Sequence, residues 1–158
     1  LDAMDKGGRV KDIYRARENL HNHDIRACFF LQFGYPGETW DEIEETIRMV
    51  RETRPDDIGV SVSYPLPGTR FYERVSAQLG PKSNWSDSGD LAMMFRGEYS
   101  SEFYRALADA LHAEVRGDFH GEAAAWQRVR ELKRACGRVA APNRSPFHVL
   151  RGSPEPAA

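Results

Sequence analysis

Two short segments contain the residues whose types and spacing favour ligand chemistry. Residues 29–39 read FFLQFGYPGET, and residues 60–69 read VSVSYPLPGT. Each runs from an apolar, strand-like stretch through Tyr-Pro and a glycine to a threonine that can cap a helix. With the amphipathic stretch between them, the pattern predicts a β-α-β unit. Such folds bind their ligands at glycine-containing turns that follow the carboxyl ends of parallel strands.

Strand alternation predicts which side chains face that ligand. In residues 58–63 every second residue is apolar, and we assign the apolar face to the side covered by helices. If the strands belong to a barrel, Ser63 then faces its lumen. In the earlier strand the face shared with Gly34 carries Gln32, which we expect at the mouth where the strands end.

Simpler interpretations stay open for several of these residues. Glycine and proline also serve only to shape tight turns. Glu38 stands where a base could reach the mouth, yet an acid at a helix N-terminus stabilises the helix without any catalytic role. Tyr64 could contact a ligand or pack on a neighbouring proline. Two such turns in consecutive βα units favour a binding site at this edge.

Composition narrows the class of protein. The chain has 158 residues, 41% of them hydrophobic and 29% charged, with a net charge of −2. These values fit a globular protein and give no electrostatic reason to expect nucleic acid or a membrane as partner. We find no signal-peptide pattern and no apolar run of the roughly 20 residues that span a bilayer. The two cysteines, Cys28 and Cys136, favour a cytoplasmic location.

No common metal-binding spacing of cysteine or histidine occurs in the chain. The nearest approach is His21-x-His23, which lies in a polar turn without a third ligand. We therefore predict no metal ligands in this sequence.

The pattern divides the chain into four parts. We predict helices over 9–22, 39–53 and 69–79 and strands over 25–33 and 58–63. Residues 81–121 are expected to form a polar loop and a helix, residues 122–137 a terminal helix, and residues 138–158 a disordered tail. Because the sequence opens at Leu1 without an initiator methionine, we expect a piece of a larger protein.

The two turn segments resemble the fifth and sixth strands of the radical S-adenosylmethionine (SAM) enzyme core. The opening residues 1–7, LDAMDKG, resemble the segment after that family's fourth strand. More narrowly, the chain is similar to the cobalamin-binding branch that includes anaerobic magnesium-protoporphyrin ester cyclases. The resemblance is strong over 1–80, weaker over 81–120 and absent after about 122. It implies an α/β fold: the C-terminal part of a partial, TIM-like (β/α) barrel with two parallel strands, followed by C-terminal helices.

The resemblance also implies cofactor contacts. In that family the fifth-strand glycine motif touches the adenine and ribose of SAM, and backbone after the sixth strand touches the adenine. These roles fall on two sets of residues: Gln32, Gly34, Tyr35 and Pro36 in the first turn, and Tyr64, Pro65 and Leu66 in the second, to which strand alternation adds Ser63. Gln32 replaces the aliphatic residue that is usual at its position and adds a hydrogen-bonding side chain.

The family's [4Fe-4S] cluster is held by three closely spaced cysteines, which this sequence lacks. We therefore expect the cluster, and cobalamin if the narrower branch applies, to be bound outside this chain. The N-terminal half of the same enzyme or a complementing subunit would supply them. The expected function is to provide one side of the SAM site for radical modification of a small organic substrate, and the chain alone should be inactive.

Two alternatives remain. The first is a non-catalytic truncated remnant or a module that completes a separate N-terminal subunit. The second is a βα piece of another barrel enzyme with phosphate-bearing ligands, although no phosphate-binding glycine loop is found.

Overall fold

The computed structural model describes residues 8–79, 89 and 91–139. In chain order these residues form helix α1, strand β1, helix α2, strand β2 and helices α3, α4 and α5. Their bounds are Val10–Asn22, Cys28–Phe33, Trp40–Thr53, Asp57–Val62, Arg70–Val75, Ser101–Arg116 and Phe119–Val139, and a 3-10 turn over Ser76–Gln78 follows α3. The predicted α/β class with two parallel strands and C-terminal helices is confirmed. No helix in these ranges is long and apolar enough to cross a membrane.

The pairing of β1 with β2 assigns each strand residue to a face. The strands are parallel, with Leu31 opposite Val60 and Gln32 opposite Ser61. Leu31 is buried in the core, whereas Gln32 is exposed. The apolar face therefore packs beneath the helices, and Gln32 lies on the opposite face, as strand alternation predicted.

Strand β1 is shorter than the sequence pattern predicted. The structure begins it at Cys28 rather than at residue 25. The reason is that Ile25 closes the end of α1, because its backbone N–H donates to the Leu20 carbonyl at 2.9 Å. The start of β1 is held instead by Asp56, whose carboxylate accepts the Ala27 N–H at 2.7 Å.

Helix α2 begins where the sequence indicated, at a capping box. The Thr39 hydroxyl accepts the Glu42 N–H at 3.4 Å, and the Glu42 carboxylate accepts the Thr39 N–H at 2.7 Å. These bonds satisfy two of the free amides of the first turn. The cap thus fixes where the helix starts relative to the turn that follows β1.

Helices α4 and α5 pack together and complete the core over β2. Fully buried side chains on α4 include Phe103, Leu107 and Leu111, and α5 contributes Val129. Helix α5 is longer than predicted at both ends. It begins at Phe119 rather than about 122. The Asp118 carboxylate caps this end by accepting the Gly121 N–H at 3.2 Å, and Gly121 is therefore part of the first helical turn. The part of the predicted tail beyond residue 139 lies outside the described residues.

One charged side chain joins α2 to this helix pair. The Arg51 guanidinium donates to both Glu114 carboxylate oxygens, at 2.6 and 2.9 Å, and the Trp126 indole N–H donates to the same carboxylate at 2.9 Å. Bidentate hydrogen bonds between arginine and a carboxylate are among the stronger polar contacts in proteins. Three helices therefore converge on Glu114.

Replacing Glu114 should destabilise the fold more than replacing an exposed acid of the same helix. We expect Glu114→Ala to lower the free energy of unfolding by about 1–2 kcal/mol, because three hydrogen bonds to a carboxylate are lost. The matched control is Glu102→Ala on α4, where an exposed pair with Arg128 should contribute about 0–1 kcal/mol. Urea denaturation monitored by circular dichroism measures both. Equal losses would contradict the role of Glu114.

The free edge of β1 should make the chain self-associate. Within the described residues β1 has a partner strand on one side only, and Phe30 on its open face is 78% exposed. Unpaired strand edges beside large apolar side chains promote pairing between molecules. We expect sedimentation velocity to show oligomers that Phe30→Ser reduces and that the control Leu66→Ser leaves unchanged. A monomer that unfolds cooperatively would contradict this expectation.

Candidate functional site

The turn after β1 is built around Gly34. Its φ of +73° lies in the left-handed region, which residues with a side chain rarely adopt. A Cβ atom there would also lie 2.8 Å from the Met93 sulfur and 3.4 Å from the Tyr104 ring. Glycine at this position therefore lets the segment before α4 pack directly on the turn.

The Glu38 side chain bridges the Gly34 backbone of this turn and Tyr104 of α4. One of its carboxylate oxygens, Oε2, accepts the Gly34 N–H at 2.9 Å and the Tyr104 hydroxyl at 3.1 Å. Burial raises the pKa of Glu38 to about 7, although the two hydrogen bonds act in the opposite direction. Near neutral pH this carboxyl group therefore exists in both charge states.

The turn forms one wall of a cleft of about 300 Å³. Gln32, Tyr35, Pro36 and Glu38 line it from β1 and the turn, while α1 and α2 form the other walls. The cleft joins apolar surface from Tyr35 and Pro36 to an amide and a carboxyl group. Such a mixture is typical of small-molecule sites.

The second turn lies apart from this cleft. Ser63 is 1% exposed; its N–H donates to the Phe33 carbonyl at 2.8 Å, and its buried hydroxyl has no hydrogen-bond partner among the described residues. Pro65 is also buried, Tyr64 is half-buried, and Leu66 is exposed. Of the predicted site residues, the structure gathers Gln32, Tyr35 and Pro36 around the cleft, places Gly34 beneath them, and leaves the second set outside its walls.

A row of aromatic rings links the first turn to α3 and to the segment before α4. The ring of Tyr35 lies 5.1 Å from that of Phe71 on α3, and Phe71 lies 5.3 Å from Phe95. Phe95, which precedes α4, therefore packs on the same ring of α3 as Tyr35 does.

Sequence reasoning missed the role of Tyr104 and underrated Glu38. Glu38 was interpretable as a simple helix-terminal acid, since nothing local shows that it is buried. Tyr104 lies 66 residues further along the chain, in a helix with an ordinary apolar stripe. No local pattern links the two residues.

The cysteines and histidines do not converge in the described ranges. Cys28 is exposed, Cys136 is partly exposed, and both are free thiols. His21 and His23 are exposed, and no group of three potential metal ligands occurs in the part that the structure describes.

Comparisons with known proteins identify distant relatives. No protein-family model matches the chain. It is 25% identical to the tRNA-2-methylthio-N(6)-dimethylallyladenosine synthase of Sulfurihydrogenibium sp. over 124 residues, which cover 72% of this chain and 28% of that protein. It is 43% identical to the ribosomal protein uS12 methylthiotransferase RimO of Chlorobium limicola over 56 residues, which cover 35% and 13%. An uncharacterized protein of Methanocaldococcus jannaschii is 27% identical over 73 residues, which cover 46% and 23%.

The matched segments are short relative to the whole relatives. This chain spans between 13% and 28% of the length of the three relatives named above. Two of the matched types are named as enzymes that methylthiolate a macromolecule. These weak similarities support the resemblance to radical SAM enzymes at the level of the superfamily.

Proposed function

We propose that this chain supplies the adenine and ribose side of a SAM site in a radical SAM enzyme. The observation that carries the proposal is the cleft beside β1. There an exposed Gln32 amide and the turn from Gly34 to Glu38 meet at the carboxyl end of a parallel strand. Parallel α/β folds bind their ligands at this end of the sheet.

The residues of the first turn fit a nucleoside. An adenine ring needs apolar contact surface together with hydrogen-bonding groups, and Tyr35, Pro36 and Gln32 offer both. Gly37 adds room for close approach, since no atom lies within 4 Å of the position that its Cβ would occupy. The Glu38 carboxylate could accept a hydrogen bond from a ribose hydroxyl.

The second turn fits the ligand less directly. Because Ser63 and Pro65 are buried, their side chains are not available at the surface. The predicted contacts of Tyr64, Pro65 and Leu66 therefore rest on their backbone groups, which is also what the family resemblance assigns to this strand end.

In this proposal the cofactor supplies the reactivity, and this chain supplies groups that bind the cofactor. SAM, bound with a reduced [4Fe-4S] cluster, supplies the radical that modifies an organic substrate. The side chains of this chain bind and orient the nucleoside and exclude water from it. We propose that the cluster ligands belong to the N-terminal half of the same enzyme or to a complementing subunit.

The finer assignments stay predictions from the sequence. The relatives whose names state an activity are a synthase and a methylthiotransferase, so they add no support to the use of cobalamin. A non-catalytic module that completes a separate subunit stays the alternative to an enzyme part. A cytoplasmic location rests on the composition and on the two cysteines.

Removing the Gln32 amide should weaken SAM binding. We expect Gln32→Ala to raise the dissociation constant by roughly threefold to tenfold, because one hydrogen bond is lost at the cleft. Gln127→Ala is the matched control, since Gln127 is exposed on α5 and pairs with Glu131 at 3.1 Å. Isothermal titration calorimetry with SAM measures all three proteins. Equal affinities, or an absence of SAM binding by the unmodified chain, would contradict the proposal.

The chain should not assemble an iron–sulfur cluster by itself. It contains two cysteines, whereas such clusters need several converging thiolates. We expect anaerobic reconstitution with iron and sulfide, followed by desalting, to leave no cluster absorbance beyond that of the Cys28→Ser variant. A stoichiometric cluster that supports reductive cleavage of SAM would show that the ligands lie in this chain.

A further inference from the structure

The turn that lines the cleft is held by a residue from outside its own β-α-β unit. Tyr104 lies on α4, and its hydroxyl donates to Glu38 Oε2 at 3.1 Å. The same oxygen accepts the Gly34 N–H at 2.9 Å. A continuous path of hydrogen bonds therefore runs from α4 through Glu38 to the backbone of the turn.

The position of Tyr104 is fixed by its surroundings. The residue is 1% exposed. Its ring meets the Phe103 ring at 5.3 Å and the Tyr99 ring at 6.2 Å, both nearly edge-on. These ring contacts hold the side chain within the core, where little of it reaches solvent. The position of Tyr104 is therefore supported by packing contacts that do not involve Glu38.

We propose that Tyr104 is a positioning residue, which acts through Glu38 to fix the Gly34 amide and thereby the cleft-forming turn in the shape that binds the cofactor. The proposal rests on the proposed function, since it assigns the turn to SAM. It extends that function to α4, a helix outside the strands and turns to which the family resemblance assigns cofactor contacts.

The charges around Glu38 determine how the proposal can be tested. Glu42 on α2 is the acid whose charge raises the pKa of Glu38, and Glu45 lies on the same wall of the cleft. The segment before α4 contributes Glu98 and Tyr99, which interact with Tyr104. The cleft wall from α1 is apolar. Among the described residues, the Gly34 N–H and the Tyr104 hydroxyl are the hydrogen-bond donors that favour the ionised form of Glu38.

The first measurement does not depend on SAM. We expect Tyr104→Phe, which removes only the hydroxyl, to shift the titration of the Glu38 carboxyl carbon to higher pH in ¹³C NMR spectra. The sign follows because the lost hydrogen bond lowers the pKa. The Gly34 amide resonance should move with the same midpoint. Tyr99→Phe is the matched control, because it removes a hydroxyl from the neighbouring ring and should leave both signals unchanged.

The second measurement uses SAM. At a pH where Glu38 is ionised, Tyr104→Phe should weaken SAM binding on the order of tenfold, the typical effect of losing a hydrogen bond to a charged group. Tyr99→Phe should bind as the unmodified chain does. Glu38→Gln should make the SAM affinity independent of pH near neutrality, because the titrating carboxyl group is absent. This variant leaves the ring contacts of Tyr104 intact, so it tests the same path if Tyr104→Phe folds poorly.

The outcomes separate the two proposals. Absence of SAM binding by the unmodified chain would overturn the proposed function, while the Glu38 titration and the Gly34 resonance would still test the path from Tyr104. Unshifted titration in Tyr104→Phe, an unmoved Gly34 amide, or unchanged SAM affinity beside a shifted titration would each overturn the positioning role.

Discussion

The parallel pairing of β1 with β2 is the constraint on which the rest of the structure depends. With Leu31 opposite Val60 and Gln32 opposite Ser61, the buried apolar residues Leu31 and Phe33 face the helices, and Gln32 lies on the opposite face together with the exposed Phe30. A shift of one residue would reverse both faces, since side chains alternate along a strand. The large apolar residues Leu31, Phe33, Ile58 and Val62 make this reversal costly, because each is at most 4% exposed in the observed register.

The helices after residue 100 belong to the same hydrophobic core as the sheet. Phe103, Leu107 and Val129 are completely buried together with residues of β1 and α2. Polar contacts also join α4 to the earlier elements: Glu114 binds Arg51 of α2, and Tyr104 binds Glu38 of the first turn. Helix α4 therefore contacts both α2 and the turn that follows β1.

The local features of the fold were predictable from the sequence, and the long-range ones were not. The alternation in residues 58–63 predicted the strand faces, and the Thr39 and Glu42 pair predicted the start of α2, because both signals act over a few residues. The early start of α5 was missed because Gly121 is a typical helix breaker, and the Asp118 cap that offsets it is weak evidence in a sequence. The contact of Glu38 with Tyr104 was missed because Tyr104 lies on α4, 66 residues further along the chain. The cleft was expected at the correct strand end, but its separation from Ser63 and Pro65 depends on side-chain packing that no local pattern encodes.

The distance along the chain between the two halves of the core has a consequence for synthesis on the ribosome. Arg51 and Glu114 are 63 residues apart, and Glu38 and Tyr104 are 66 apart. Contacts between such remote residues form late, since the intervening chain must first be translated and then closed into a loop. During that interval the strands have emerged without the helix that covers them, and their apolar face is open to chaperones and to neighbouring nascent chains. The helix that aligns the cleft is thus also the one whose arrival ends this vulnerable period.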